Sequence, residues 1–261
     1  MNIRLDPLGT VFPSGKGTWK QYQPDGQSSL LPIGAPNVDT RLRGGIARHG
    51  LHEFFGPTKV DSHAAAAFAL LLAWRLPESD AGIFWITSDK ERQASGRLYP
   101  HGLSAMGGDP SKILLVQVAD LRDALRAAAD GIRSKAAAAV ILEAQGNARL
   151  IDLTSTRRLA LAAAEAGVLA LLVRGDAVPM PSAASTRWQV KSAPSIPLPG
   201  NAPGFATFDI SLLRHRGGTA PFAAKVTWDH ATRSFYDAPL SGGLSAIVTG
   251  GEADPASRQR A

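Results

Sequence analysis

Five short apolar runs, separated by stretches of helical character, constrain the fold of this 261-residue chain more than any other feature. Apolar residues at consecutive positions are typical of strands that are buried on both faces of a parallel sheet. Parallel neighbours need long crossovers, which are usually helices. The sequence therefore predicts an α/β fold with a mostly parallel, twisted sheet flanked by helices. The runs are LHEFF, GIFWIT, ILLVQV, AAVILE and VLALLV.

The stretches between these runs carry the signals of three helices. Residues 64–75 are apolar nearly all round, and residues 121–134 are rich in alanine and follow Asp120, a plausible N-cap. Residues 154–166 end at Gly167, which is a good helix stop. After residue 173 the pattern changes to alternation in TRWQVK, FDISLLRHR and AAKVTWDH, which predicts half-exposed antiparallel strands at a sheet edge.

The two ends of the chain differ from its middle. Residues 1–40 alternate proline with glycine and glutamine and keep no period of 2 or 3.6 residues. Residues 241–261 are rich in glycine and polar side chains. We expect a flexible N-terminal arm over residues 1–40, one core domain over residues 41–240 and a mobile C-terminal tail over residues 241–261.

Composition limits the partners and the chemistry. The net charge of +6 permits an acidic partner such as nucleic acid without requiring one. The absence of cysteine excludes disulfides, thiolate zinc sites and cysteine catalysis. The longest apolar stretch, of about a dozen residues, is far short of the roughly 20 that span a bilayer, and the N-terminus lacks a signal-peptide pattern. We therefore expect a cytoplasmic protein with no membrane partner.

The turn after LHEFF has the context of a phosphate-binding loop but not its residues. Strand, glycine turn and helix place backbone N–H groups where an anion binds. The working loop reads G-x-x-x-x-G-K-[ST], and with Gly56 as its first glycine the three remaining positions hold Asp61, Ser62 and His63. A lysine about 4 Å from a phosphate is worth about 4 kcal/mol at an effective dielectric near 20, and a carboxylate in its place repels as strongly. We therefore expect no ATP cofactor, although Lys59, expected just before the helix, could compensate in part.

Other candidate chemistry is weaker. Asp61, Ser62 and His63 are adjacent, so their side chains diverge at a helix start and cannot form a nucleophile, base and orienting group. The histidines and their acidic neighbours lack the spacing of a metal site, so the sequence predicts no metal ligands and no catalytic residues.

Several longer strings point to one family. The run GAPNVDTRLRGGIARHGLHEFFGP is similar to the G-x-x-x-x-D-x-x-L-x-G-G-[IL]-x-x-G-x-x-x-E-x-x-G run that leads RecA-like proteins into their first core strand. LYPHGLSAMGGDPSKILLVQ is similar to the linker and third-strand region of ImuA proteins, and AAVILE stands where a Walker B strand would end. PSAASTRWQV, LLRHRGG and KVTWDH complete a likeness over about residues 30–235. The chain thus resembles a RecA-type core and, within that superfamily, the ImuA family of bacterial damage-induced mutagenesis proteins.

The resemblance implies a function by association rather than turnover. It implies a non-catalytic accessory protein of error-prone translesion DNA synthesis in the SOS response to DNA damage. The implied partners are an ImuB-like homologue of Y-family polymerases and a DnaE-type error-prone polymerase, with RecA as a further candidate and direct DNA contact left open. The alternatives are a SulA-like inhibitor of cell division, which would also be a reduced RecA-like fold, and a weak RecA-like ATPase that tolerates an unusual loop.

The resemblance also assigns positions to a degenerate nucleotide site. Glu143 stands at the Walker B position and Asp89 at that of the catalytic acid, so both keep a carboxylate. The alternative is that both are solvated residues at strand ends.

The same resemblance suggests contacts with a partner or with DNA. Arg214 and Arg216 match two basic residues that reach across a RecA subunit interface, and on an alternating strand they would share one face. Arg187 and Trp188 stand where RecA proteins carry a loop that touches single-stranded DNA, and there they could bind phosphate and stack on a base. The alternatives are a solvated edge for the two arginines and a core position for Trp188.

Overall fold

The computed structural model describes residues 4–5, 29–77, 81–202 and 204–238. Its helices are α1 (Pro36–Arg41), α2 (Lys59–Ala73), α3 (Asp89–Ser95), α4 (Pro100–Ala105), α5 (Leu121–Arg133) and α6 (Leu153–Ala166). Its strands are β1 (Arg4–Leu5), β2 (Leu30–Leu31), β3 (Ile46–Ala47), β4 (Gly50–Gly56), β5 (Gly82–Ser88), β6 (Ile113–Val118), β7 (Ala137–Gln145), β8 (Leu169–Gly175), β9 (Thr186–Ala193), β10 (Thr207–His215), β11 (Phe222–Asp229) and β12 (Ser234–Asp237).

One large twisted sheet organises the described residues. Its strand order is β1-β6-β5-β7-β8-β4-β9-β10-β11-β12. The central strands, in the order β6-β5-β7-β8-β4-β9, run parallel to one another. Strand β1 at one edge and strands β10, β11 and β12 at the other edge are antiparallel additions. The predicted α/β class, with a mostly parallel sheet and antiparallel edge strands, is confirmed.

Helices cover both faces of the sheet. Successive residues of a strand point to opposite faces of the sheet. On β5, Phe84 faces α5, because a Cβ added to Gly131 of α5 would lie 3.0 Å from its ring. The next residue, Trp85, points to the other face and lines a cavity with the start of α2. Helix α2 therefore lies on one face, and α5 lies on the other together with its neighbour α6. The phenylalanines of β4, α2, β10 and β12 join the antiparallel strands to the α2 side, with ring centroids of Phe68 and Phe235 4.8 Å apart.

Helix boundaries partly agree with the sequence. Asp120 caps α5 by accepting a hydrogen bond from the Asp123 N–H at 2.9 Å, and Gly167 ends α6 with a φ of 72°. Helix α6 begins at Leu153, one residue earlier than expected, because Asp152 is its N-cap. Helix α2 begins at Lys59 rather than at residue 64, because Thr58 caps it.

The segment before residue 40 departs from the expected arm. Leu31, Ile33 and Val38 are buried in the core, and α1 begins within the span expected to be flexible. The Asp39 carboxylate accepts hydrogen bonds from the N–H groups of Ile33 and Gly34 at 2.7 and 2.8 Å. Residues 29–40 therefore belong to the core, because these contacts satisfy the backbone that lacks a regular period. The rest of the arm, apart from β1, and the tail over 241–261 lie outside the described residues.

None of the helices in the described ranges is long and apolar enough to cross a bilayer.

A buried polar chain fixes β4 against β9. Trp188 Nε1 donates to Thr186 Oγ1 at 2.8 Å, and that hydroxyl lies 2.7 Å from His52 Nδ1. His52 Nε2 lies 2.8 Å from the Ala47 carbonyl oxygen, which can only accept. His52 is therefore the neutral tautomer with its proton on Nε2, and Nδ1 accepts from Thr186. Burial lowers the pKa of His52 from 6.5 to about 4.

We predict that His52 makes the protein less stable in acid. The unfolded chain protonates this ring near pH 6.5 and the folded protein only near pH 4, so its contribution is complete above pH 6.5 and is lost as the pH falls towards 4. The loss amounts to roughly 3 kcal/mol of unfolding free energy. Denaturant unfolding across this range should show a shallower pH dependence for His52→Gln, and the wild-type dependence for the control His101→Gln at an exposed position. An equally steep dependence of the unfolding free energy on pH for wild type and His52→Gln would refute this role of His52.

Candidate functional site

The turn between β4 and α2 is too short to cradle a phosphate. Only Pro57 and Thr58 separate the end of the strand at Gly56 from the first helical residue. Thr58 Oγ1 accepts a hydrogen bond from the Asp61 N–H at 3.2 Å, and the Thr58 carbonyl accepts from the Ser62 N–H at 3.0 Å. The Asp61 N–H, one of the helix-start amides that could bind an anion, is therefore already paired inside the turn.

The first turn of α2 lies directly against the end of β4. A Cβ placed on Gly56 would come within 2.5 Å of the Asp61 carbonyl oxygen and 2.6 Å of the Ser62 nitrogen. Glycine is thus needed at this position for close backbone contact rather than for room around a ligand. The backbone of the helix start therefore lies directly against the end of the strand.

Asp61 places its own negative charge at the helix start. Its carboxylate accepts from Thr58 Oγ1 at 2.7 Å, and its other oxygen lies 3.4 Å from the Ser192 N–H of β9. A carboxylate here interacts favourably with the helix dipole, as a bound phosphate would, and repels any incoming anion. Lys59 is the first residue of α2 and exposed, not a loop residue before the helix as the sequence suggested.

Ser62, His63 and Glu143 meet at a cavity of about 160 Å³ between α2, β7 and the chain after α3. His63 Nε2 lies 3.3 Å from the Ser95 carbonyl, and Gln145 Nε2 donates to Ser95 Oγ at 2.9 Å, so the end of α3 closes over the sheet. Drug-sized ligands occupy pockets of roughly 300 Å³ or more. The cavity is too small for a nucleoside triphosphate.

Glu143 is buried, not solvated, and it lies within β7 rather than at its end. Trp85 Nε1 donates to Glu143 Oε2 at 2.9 Å. Burial raises the pKa of Glu143, and the nearby Glu91 raises it further, while the hydrogen bonds from Trp85 and Thr87 and the positive potential of His63 oppose the shift. A carboxyl held closer to its neutral form is a weaker ligand for a cation.

Asp89 stands apart from this cavity. It is the first residue of α3, and its carboxylate accepts a hydrogen bond from the side-chain amide of Gln117 on β6. The fold therefore does not bring Asp89 and Glu143 together at one cavity. In the described parts of the chain, no cluster of three or more His, Asp or Glu side chains could hold a metal ion.

A second charged cluster surrounds Ser182 on the other face of the sheet. Glu53 Oε2 accepts from Ser182 Oγ at 2.5 Å and lies 3.3 Å from Arg187 Nε. Arg214 Nη1 donates to the Ser182 carbonyl at 3.2 Å. Burial raises the pKa of Glu53, although Ser182, Arg187 and Arg174 favour its charged form. Arg187 is thus committed to an internal ion pair.

Two expectations for partner contacts need correction. Trp188 is fully buried and bonded to Thr186, so it cannot stack on a DNA base. Arg214 and Arg216 are not a pair on one regular strand face, because β10 ends at His215 and its register shifts between Leu212 and Arg214. Both arginines are nevertheless exposed.

Sequence reasoning missed the role of Glu53. A signal was present, because a lone carboxylate within the apolar run LHEFF must find partners once it is buried. Its partner Arg187 lies directly opposite in the register of β4 and β9, a pairing that no local pattern indicates.

Comparison with solved structures identifies the architecture. A structure titled "Crystal structure of the RadB recombinase" matches with a TM-score of 0.52 and 18% sequence identity, over 80% of this chain and 100% of that chain. The fold is RecA-like. At this identity the likeness extends to the fold alone. No protein-family model matches the sequence, and no curated protein matches it.

We predict that Gly56→Ala destabilises the protein by about 1 to 3 kcal/mol, because backbone atoms of α2 must move to admit one methyl group. Gly102→Ala, in helix α4, is the control, since its Cβ would meet only a flexible tyrosine side chain at 3.3 Å. Denaturant unfolding of the two variants measures the difference. Equal stability of Gly56→Ala and wild type would mean that the turn is looser than the structure shows.

Proposed function

We propose that this protein is a non-catalytic RecA-fold accessory protein that acts by binding other proteins of error-prone translesion DNA synthesis. The observation that carries the proposal is the closed turn at Gly56, where the helix start occupies the position of a phosphate loop. A RecA-like fold in which the helix start takes the place of the phosphate loop keeps the surfaces that bind other proteins but lacks the nucleotide-dependent chemistry.

The proposed partners follow from the resemblance to ImuA proteins. They are an ImuB-like polymerase homologue and a DnaE-type polymerase, as components of the SOS response. The shared RecA-like architecture supports the fold part of this proposal. The net charge of +6 permits a role beside nucleic acid without requiring one.

Arg214 and Arg216 are the proposed docking residues. Both are exposed at the end of β10, and Arg214 is held by the Ser182 carbonyl at 3.2 Å. An arginine fixed in this way loses less conformational freedom when it binds a carboxylate than a free one does. We infer that the two residues meet acidic groups of a RecA-like partner subunit.

A measurement of nucleotide binding tests the first part of the proposal, that the protein is non-catalytic. A fluorescent ATP analogue with Mg²⁺ should show no saturable binding to the wild-type protein at concentrations below about 100 μM. A site that saturates below this concentration has a binding free energy of more than about 5 kcal/mol in favour of the complex. Lys59→Ala should behave identically. Low-micromolar binding that Lys59→Ala abolishes would support the weak ATPase instead.

Co-purification tests the second part. The full chain should retain the ImuB-like or the DnaE-type partner and, as the RecA-like subunit, RecA itself. The double variant Arg214→Glu/Arg216→Glu should lose most of the bound RecA through charge repulsion. Lys90→Glu/Arg157→Glu is the matched control, because it reverses two exposed charges elsewhere. Unchanged retention by the first variant would reject these arginines, and retention of neither polymerase by the wild type would reject the proposed partners.

A further inference from the structure

A groove between α5 and α6 gathers an unusual number of arginines. It has a volume of about 540 Å³, and five arginines and two aspartates line it. The arginines are Arg122, Arg126, Arg133, Arg149 and Arg158. This groove lies on the sheet face opposite to the Glu143 cavity, and none of these arginines belongs to the proposed docking residues.

Helix geometry aligns three of these arginines. At about 100° per residue, Arg122, Arg126 and Arg133 fall within a narrow stripe along α5. They span about 16 Å of the helix axis, which is about three helical turns. Arg149 and Arg158 approach from the opposite wall, which is formed by α6 and the loop before it. A segment lying in the groove would therefore meet positive charge on both sides.

Much of this charge has no strong partner among the residues that the structure describes. Arg126 and Arg133 form exposed ion pairs with Asp123 and Asp130 at 3.4 and 3.6 Å, which contribute little in water. Among the described residues, Arg122, Arg149 and Arg158 have neither an ion pair nor a side-chain hydrogen bond.

The acidic side chains in the groove are largely occupied by local contacts. Asp152 caps α6 through the Ser155 N–H at 2.7 Å, and these backbone bonds lower its pKa. Asp130 pairs with Arg133. The excess of positive charge therefore faces outwards along the groove.

Apolar side chains distinguish the groove from a simple phosphate-binding surface. Leu125 and Ala129 of α5 and Leu159 of α6 line it, and Leu150 at its edge is 42% exposed. A sugar-phosphate backbone gains nothing from exposed leucine, whereas an amphipathic peptide buries it. We propose that the α5–α6 groove binds an acidic, amphipathic helical segment of a partner protein. This inference deepens the proposed function, on which it rests for the identity of the partner.

Fluorescence anisotropy with defined probes tests the groove directly. The probe is a fluorescein-labelled peptide of glutamates with leucines at the i, i+3, i+4 and i+7 positions, about four turns long. The comparison probes are the same peptide with lysine for glutamate and a single-stranded oligothymidylate. The wild-type full chain should bind the acidic peptide, with an affinity that falls as salt rises, and should not bind the lysine peptide.

Neighbouring residues supply matched controls. Arg158→Glu should weaken binding of the acidic peptide by about tenfold or more, while Arg157→Glu, outside the groove on the same helix, should change it less than about twofold. Leu150→Gln should weaken binding several-fold, and Leu153→Gln, an exposed leucine that does not line the groove, should leave it unchanged. All four positions are exposed, so circular dichroism should show every variant folded.

The outcomes separate this inference from the proposed function. No binding of the acidic peptide, or binding insensitive to both Arg158→Glu and Leu150→Gln, would overturn the groove. Tighter binding of the oligothymidylate, reduced by Arg158→Glu but not by Leu150→Gln, would overturn it in favour of nucleic acid. If the polymerases co-purify with Arg158→Glu and Leu150→Gln as with wild type, the groove fails as their docking site while the proposed function stands. If the acidic peptide binds in the groove but the wild-type protein retains neither polymerase, the groove proposal stands and the polymerases are rejected as partners.

Discussion

The close contact between Gly56 and the first turn of α2 is the constraint on which the rest of the account depends. The turn is short because Thr58 caps the helix immediately after Pro57, and Asp61 completes the cap with a carboxylate. The Asp61 N–H is paired with the cap, and a negative charge already lies at the helix start. The parallel strands on either side of β4 keep their regular pairing around this turn.

Much of the fold was predictable because it depends on patterns that are local in sequence. Consecutive apolar residues indicated the parallel strands, and alternation after residue 173 indicated the antiparallel strands β10 and β11. The prediction was wrong for TRWQVK, because β9 pairs parallel with β4 and antiparallel only with β10. Asp120 and Gly167 marked helix ends correctly because a cap depends only on its own turn. The segment around Ile33 was misjudged, since its irregular backbone is satisfied by the Asp39 side chain rather than by a regular hydrogen-bond ladder.

The candidate site was less predictable because it depends on distances between strands. The absence of the loop lysine could be read directly, but the collapse of the turn onto Gly56 could not. The burial of Glu143 and Trp188 depends on neighbours more than 50 residues away, such as Trp85, and on the register of β4 with β9. Likewise, the arginine groove forms only when α5 and α6 pack side by side, because their arginines are separated in sequence by the whole of β7.

Positive charge is thus distributed in three distinct ways. Arg187 neutralises a buried carboxylate, Arg214 is held at a strand end by a carbonyl, and the arginines of α5 and α6 remain exposed in a groove. Each arrangement is compatible with a protein that recognises partners through surfaces instead of a bound nucleotide.

Thermal unfolding with and without millimolar MgATP measures whether the folded protein binds nucleotide, because any ligand that binds only the folded state must stabilise it. We predict the same unfolding midpoint in both conditions, for wild type and for Lys59→Ala. A rise of several degrees in the wild type that Lys59→Ala removes would contradict it, since a site with a dissociation constant of about 10 μM would add roughly 3 to 4 kcal/mol at such concentrations.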